Sequence, residues 1–356
     1  MSLPAAACPG PRLRCAPHVQ AALVLVAVAL LGAVTASAAA QDAGHPDLPA
    51  EGEVAAELYA TGFAPPGGIA LDRAQNLFAA NYRALGTIGR VTADGTASVY
   101  CDLVGDAAAG DVSPLAGAIK VDRHGDLVVA DAGRGRLLKI AREGKEIQVL
   151  ADRCEGTPFA SVVDVALDHA GGIFLSVAPN ADQPGGVFRY VLLTRKVTPF
   201  KGDIPQPAGL LVTKDQNHVC IGDAQSGQVW ICRIDAGSGM AADQRRLVSL
   251  RDALGDAKFA EEAQPLSMAQ DDAGRIYIAT GKPGVVAVID PATGRLLGRY
   301  WAGGEDVRAC HFGGEYLYTA VAAKEAVFRL KLNVRGFDYS GATLAPAEAA
   351  PPSEPE

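Results

Sequence analysis

The 356-residue sequence is short of aromatic side chains, which make up 6% of it, and has no basic surplus: 32 Lys and Arg stand against 40 Asp and Glu, a formal charge of −8. A chain with that balance and no basic stripe is not suited to nucleic acid, whose phosphates are met by clustered cations. It also lacks a long hydrophobic segment. The apolar run "AALVLVAVALLGAV" (21–34) has 14 residues, fewer than the ~20 that a spanning helix needs. No G-x-S-x-G elbow, phosphate loop or His-x-x-His pair occurs, which removes the commonest hydrolase, nucleotide and zinc-helix signatures. None of the five cysteines beyond residue 40 has C-x-x-C or Cys/His spacing, so no zinc site is suggested. "GRGR" (133–136) has no helix after it to cradle a phosphate, and the Asp-Gly turns "ADGT" and "DDAGR" lack the oxygen spacing of a calcium loop. Helical periodicity is nearly absent, which excludes helical solenoids.

Arg12 and Arg14 precede the apolar run and "TASAAAQ" follows it. This order describes a secretory signal peptide over residues 1–40, cleaved near Ala38 or Ala40, with an uncleaved anchor as the alternative. Cleavage removes two arginines and no acids, taking the formal charge from −8 to −10. The expectation is a secreted or periplasmic, acidic protein, a monomer with no stable membrane anchor, that starts with a linker over 41–52. Five cysteines remain, Cys101, Cys154, Cys220, Cys232 and Cys310, an odd number that cannot all pair within one chain. Cys220 and Cys232 could face each other across a hairpin and bridge in an oxidising compartment. The alternative is that they are small buried hydrophobes.

What is abundant is glycine and repetition. With 40 Gly, 22 Pro and 49% hydrophobic residues, the composition is that of a turn-rich globular domain with a sizeable core. "GGIALDRAQNLFAAN" (67–81) recurs as "GAIKVDRHGDLVVAD", "VDVALDHAGGIFLSV", "AGLLVTKDQNHVCIGD", "LSMAQDDAGRIYIAT" and, more weakly, "VRACHFGGEYLYTAV". The anchors Asp72, Asp122, Asp168, Thr213, Asp271 and Phe312 lie 50, 46, 45, 58 and 41 residues apart. Each unit holds an apolar strand, a turn rich in Asp, Gly and Asn, and further β-rich strands. Four short strands per ~45-residue repeat indicate a β-propeller. The fold class is therefore all-β: a six-bladed β-propeller over residues 53–340. The sixth unit lacks a fourth strand, and "EVAAELYA" (53–60) is expected to supply it and so to leave no open edge. The Ala/Pro/Glu-rich tail, 341–356, has the composition of a disordered segment.

The motifs "PPGGIALD", "VVDVALDHAGGIFLS", "GLLVTKDQNHVCIGDAQSGQVW" and "VFRLKLNVRG" together resemble the regucalcin/gluconolactonase/strictosidine synthase-like propellers, with NHL-like repeats. The resemblance implies a six-bladed fold and, in members that act as lactonases, one divalent metal, often calcium, at the channel mouth. Its ligands there are a Glu in an "EGP" motif, an Asn in "N-G-L" and an Asp in "P-D-G", with an Asn-Asp pair nearby. On this chain the Glu falls on Gly67, the Asn on Ala208, the Asp on Leu266 and the pair on Val163 and Asp164, so one carboxylate survives. Calcium needs six to eight oxygens, and the expectation is no metal ligand and no cofactor, with calcium or another divalent ion required only by a lactonase reading.

Other candidates cluster on the same face, here called the mouth face, where inner strands begin. Asn81, Asp131 and Asp223 end second strands, where they can accept hydrogen bonds from the next turn and also lie near loops that can bind ligand. Asp164 and Arg308, at the starts of inner strands, can offer an acid and a base to a polar ligand or form a structural ion pair. Long connections at 104–114, 178–186 and 251–263 border the same face, the last with helical character and able to act as a lid. His124 and His169 fall in turns on the opposite face as solvated residues, and His311 is expected between strands. Two functions compete. One is a propeller that binds a small polar molecule or a protein at its channel mouth. The other is a lactone or ester hydrolase with a rearranged site, in which Asp164 is the catalytic candidate, acting with Asp111, Asp131 or Asp223.

Overall fold

In the computed structural model, which describes residues 48–105, 112–181 and 183–339, each sequence repeat forms an antiparallel sheet whose strands pair in chain order. Blade 1 comprises Ile69–Leu71, Leu77–Ala80, Thr87–Val91 and Ala97–Asp102, from inner to outer strand. Blades 2 to 4 repeat this plan from inner strands Ala116–Val121, Val162–Leu167 and Pro207–Val212, and blade 5 does so from Ala263–Gln270. Blade 6 has only Val307–Gly313, Tyr316–Val321 and Ala326–Lys331 from its own repeat. Its outer strand is Ala56–Thr61, with Ala56 opposite Leu330 and Thr61 opposite Ala326. The N-terminal strand thus closes the ring, as the sequence predicts. The expected signal peptide, most of the linker, the tail 341–356 and Asp111 lie outside the described residues. The linker's last residues are held to blade 5: the Tyr300 hydroxyl donates to Pro49 O at 2.8 Å and Arg299 pairs with Glu51 at 3.2 Å.

The burial of the strands follows from blade stacking. Second strands such as Leu127–Asp131 and Gly172–Val177 are buried along their whole length, because a neighbouring blade covers each face of the sheet. Their sequences are accordingly near-continuous apolar runs and not alternating ones. Outer strands such as Ile147–Ala151 face solvent. Apolar side chains gather between adjacent blades, for example Ile119, Leu127 and Leu138 of blade 2 with Phe78 and Ile88 of blade 1.

The turns after the inner strands are set by their anchor acids. Asp72, Asp168 and Asp271 each accept a backbone N–H four residues on, at 2.8, 2.6 and 2.9 Å, and Asp122 accepts from His124 and Asp126. Short side-chain carboxylates suit this local bonding. Asp271 is additionally paired with Arg275 at 2.5 Å and receives the Tyr277 hydroxyl.

Two features bear on readings that the sequence leaves open. Cys220 and Cys232 do not bridge: Val219, not Cys220, lies opposite Cys232, and a one-residue offset sends the two thiols to opposite faces of the sheet. Cys220 packs toward blade 5 and Cys232 toward blade 3, and burial pushes their thiols up to about 12 and about 11. The 251–263 insertion is anchored to the scaffold. Its helix, Leu250–Leu254, buries Leu250 and Leu254 in the core between blades 4 and 5, and Lys258 pairs with Glu305 at 2.7 Å.

After its last strand the chain crosses the turn face, opposite the mouth. Asp272 donates to Arg335 O and Phe337 to Gln270 O, both at 2.9 Å. The Tyr339 hydroxyl reaches Gln270 Oε1 at 3.3 Å, and Phe337 stacks on His169. At Gly336 a Cβ would stand 2.0 Å from that of Phe312, so the strap can lie this close only with glycine there.

Candidate functional site

At the mouth face the inner strands come together through their backbones. A Cβ on Gly67 would lie 2.8 Å from the carbonyl oxygens of both Ala116 and Gly117. One on Gly68 would lie 2.4 Å from Ala118 Cα, and one on Gly209 2.8 Å from Pro265 O. Ala208 is buried and its carbonyl accepts the Ser176 hydroxyl at 2.8 Å. Asp164 is buried between blades 3 and 4, where its carboxylate accepts Val165 N–H at 2.8 Å and Leu210 N–H at 2.7 Å. Burial, opposed by the Lys120 charge and these two donors, raises its pKa to about 6.

The other candidates are each engaged by the scaffold. Asn81, in a left-handed conformation at φ 62°, accepts Gly86 N–H at 3.1 Å and donates to Pro65 O and Ala116 O. Asp131 accepts Leu115 and Arg134 N–H through Oδ1 and Arg136 through Oδ2. Asp223 accepts Gln206 and Gln225 N–H and the Ser226 hydroxyl. The two acids thus bind the connection entering their blade to the turn after their own strand. Arg308 is exposed and pairs with Asp306 at 2.8 Å, while Asp164 bonds elsewhere, so the structure does not pair these two. Among the described residues, no group of three His, Cys, Asp or Glu is placed to hold a metal ion.

Space opens at the other end. A cavity of about 650 Å³ lies among the turns that follow the inner strands, bounded on one side by the strap Arg335–Tyr339. Leu71, Leu167, Leu211 and Phe312 give it apolar walls, and Lys120 and His311 project from inner strands that line it. The charge of Lys120, on blade 2, acts on Asp164 of blade 3 and on Cys310 and His311 of blade 6, which places the ammonium toward the centre of the ring. Burial, then Lys120, pushes His311 down to about 4. Its neutral Nδ1 lies 2.8 Å from Phe312 O, a contact that makes Nδ1 the donor and leaves Nε2 as an acceptor.

The family model described as "SMP-30/Gluconolactonase/LRE-like region" matches residues 86–322. The chain belongs to this family. A curated relative, the gluconolactonase of Zymomonas mobilis, is 24% identical over 237 residues, covering 63% of this chain and 65% of the relative. The chain therefore matches slightly under two thirds of that protein's length. Among solved structures, a gluconolactonase from Xanthomonas campestris superposes with a TM-score of 0.66 at 17% identity, covering 82% of this chain and 96% of the other. The calcium-binding protein regucalcin from Agrobacterium tumefaciens gives 0.63 at 15% identity, covering 80% and 95%. At such identities the superpositions show the six-bladed fold.

Within this family fold, the sequence candidates lie at the mouth face, and the cavity lies at the turn face. A signal for the second was present in the repeat alignment. Two positions before the anchor, five repeats carry Ala70, Ala166, Leu211, Ala269 and Cys310, and the second repeat carries Lys120. One position before the anchor, His311 replaces Leu or Val of the first four repeats. A charge on the innermost strand of a propeller has only the channel in which to be solvated.

Proposed function

We propose that this protein is an exported, metal-independent member of the gluconolactonase-like family that binds a small molecule in its central channel. The observation that carries the reading is the packing at Gly67. A Glu there would place its Cβ 2.8 Å from two backbone carbonyls, and Ala208, Leu266 and Val163 at the companion positions offer no side-chain oxygen. The residues present do not fit a divalent ion. The export part of the proposal rests on the N-terminal sequence alone.

A lactonase reading has one specific support, the Zymomonas relative that carries that activity in its name. It would rely on Asp164 with Asp111, Asp131 or Asp223, and the carboxylates of Asp164, Asp131 and Asp223 already accept backbone and side-chain donors of the scaffold. Thermal melts and hydrolysis of glucono-1,5-lactone, with chelator and with calcium, zinc or manganese, separate the two. An ion at a hundred times its Kd stabilises a folded protein by about 2.7 kcal/mol. The expected outcome is an unchanged melting curve and no metal-dependent turnover. Metal-dependent turnover that is lost in Asp164→Ala would establish the lactonase instead.

A further inference from the structure

The charge of the turn-face cavity is unbalanced. Six cationic side chains line it against three carboxylates, and the carboxylates are already engaged: Asp72 by the Asn76 amide, Asp122 by Lys139 at 3.0 Å, and Asp338 as well. Lys120 makes no hydrogen bond or ion pair among the described residues, although it is half-buried on an inner strand. The Nε of Arg90, another lining residue, is buried without a partner. An unpaired buried donor costs free energy, and a half-buried ammonium among apolar strands is tolerated best when an anion completes it. Around these donors the walls are apolar, and the volume is in the range of sites for drug-sized molecules.

We propose that the turn-face cavity is a binding site for a small organic anion, a carboxylate with an apolar body, with Lys120 as its charge anchor. The carboxylate meets the Lys120 ammonium near the ring axis, the apolar body lies against Leu167, Leu211 and Phe312, and His311 Nε2 accepts a hydrogen bond from a hydroxyl where the ligand has one. The strap Arg335–Tyr339 forms the outer wall. This deepens the small-molecule reading above by naming the end of the channel and the ligand class. It stands apart from the metal question, which concerns the opposite face.

The test uses the full chain with naphthalene-2-carboxylate and its uncharged analogue 2-naphthamide, titrated calorimetrically, while the His311 imidazole is followed by NMR. The carboxylate is expected to bind one to one and about tenfold tighter than the amide, the ratio that one charge-assisted hydrogen bond provides. The His311 resonance should shift with the same Kd. In Lys120→Met the preference for the carboxylate disappears while the amide binds as before, and Lys120→Arg retains the preference. Failure of both probes to bind, equal affinity for the two, a preference that survives Lys120→Met, or a His311 resonance that does not move would each overturn the proposal. If Lys120→Met does not fold, Lys120→Arg together with a loss of the wild-type preference at high salt decides it. Metal-dependent lactone hydrolysis found alongside carboxylate binding would remove the metal-independent reading and leave this site standing.

Discussion

Asp164 and His311 lie within the field of one ammonium, that of Lys120, and burial shifts them in opposite directions. Asp164 rises from 3.8 to about 6, so the native state keeps a proton that the unfolded chain releases. Its contribution to stability is full below the ordinary carboxylate range and is lost as pH rises through about 6. His311 falls from 6.5 to about 4, so the unfolded chain takes up a proton that the native state refuses. Its contribution is full above the ordinary imidazole value and is lost as pH falls through about 4. Each is worth up to about 3 kcal/mol, and between about pH 4 and 6 the two oppose each other. Wild-type stability in urea should therefore vary little across that window on their account. His311→Leu should make stability fall with rising pH, and Asp164→Asn should make it rise. If both variants keep the wild-type slope, the two groups are not shifted in this way. The anchor acids were legible in the sequence because a local turn fixes their role. The shift of Asp164 was not, because it comes from burial between its own blade and the next.

At the scale of strands, the inner ones are built differently at their two ends. Those of blades 1, 2 and 4 start on glycine and other small residues whose backbones approach the next blade, and four of the six lead into an anchor aspartate that fixes the turn. Gly68→Ala would place a methyl 2.4 Å from Ala118 Cα. Because the neighbouring atom is backbone, relief requires the strands to move apart, and a loss of about 2–3 kcal/mol or more is expected. Gly52→Ala, which meets nothing within 4 Å, should leave the urea midpoint nearly unchanged and serves as the control. Equal midpoints for the two variants would mean that the mouth is not closed by backbone packing. The strand count per repeat, the closing strand and the apolar second strands were all readable from the sequence, since each follows from a local pattern. The offset between Cys220 and Cys232 was not, because the register of a pair depends on turn geometry and on which face each neighbouring blade covers.

For the whole molecule, closure of the ring joins residues 265 to 274 positions apart, and among the described residues Ala56–Thr61 is the only strand that pairs with Ala326–Lys331 beyond its own hairpin. Such a contact carries a large loop-closure cost that is recovered only when all six blades are assembled. A chain beginning after Thr61 leaves an open edge on blade 6 and parts the apolar layer beneath it, where Tyr59 packs on Tyr318 at 5.0 Å. It should lose its single cooperative urea transition and elute from a sizing column as oligomers. A truncated monomer with the wild-type midpoint would show that the N-terminal strand does not hold the ring. The same closed ring sets the position of the cavity. Strand starts of blades 1, 2 and 4 approach the next blade closely through their glycines, and the cavity lies at the other end, where the strap from blade 6 passes.

The sequence by itself determined the number of blades, the strands within them, the closing strand and the family, because repetition, turn chemistry and apolar runs are local properties written six times. It also showed that the positions matching the family's metal ligands are mostly small or apolar. Only the tertiary structure decided where the cavity among the turns lies, which acids are occupied by scaffold donors, and that Lys120, His311 and the strap share one cavity. Those outcomes depend on close approaches between backbones and on charges from separate repeats, and no single repeat contains the partners that fix them.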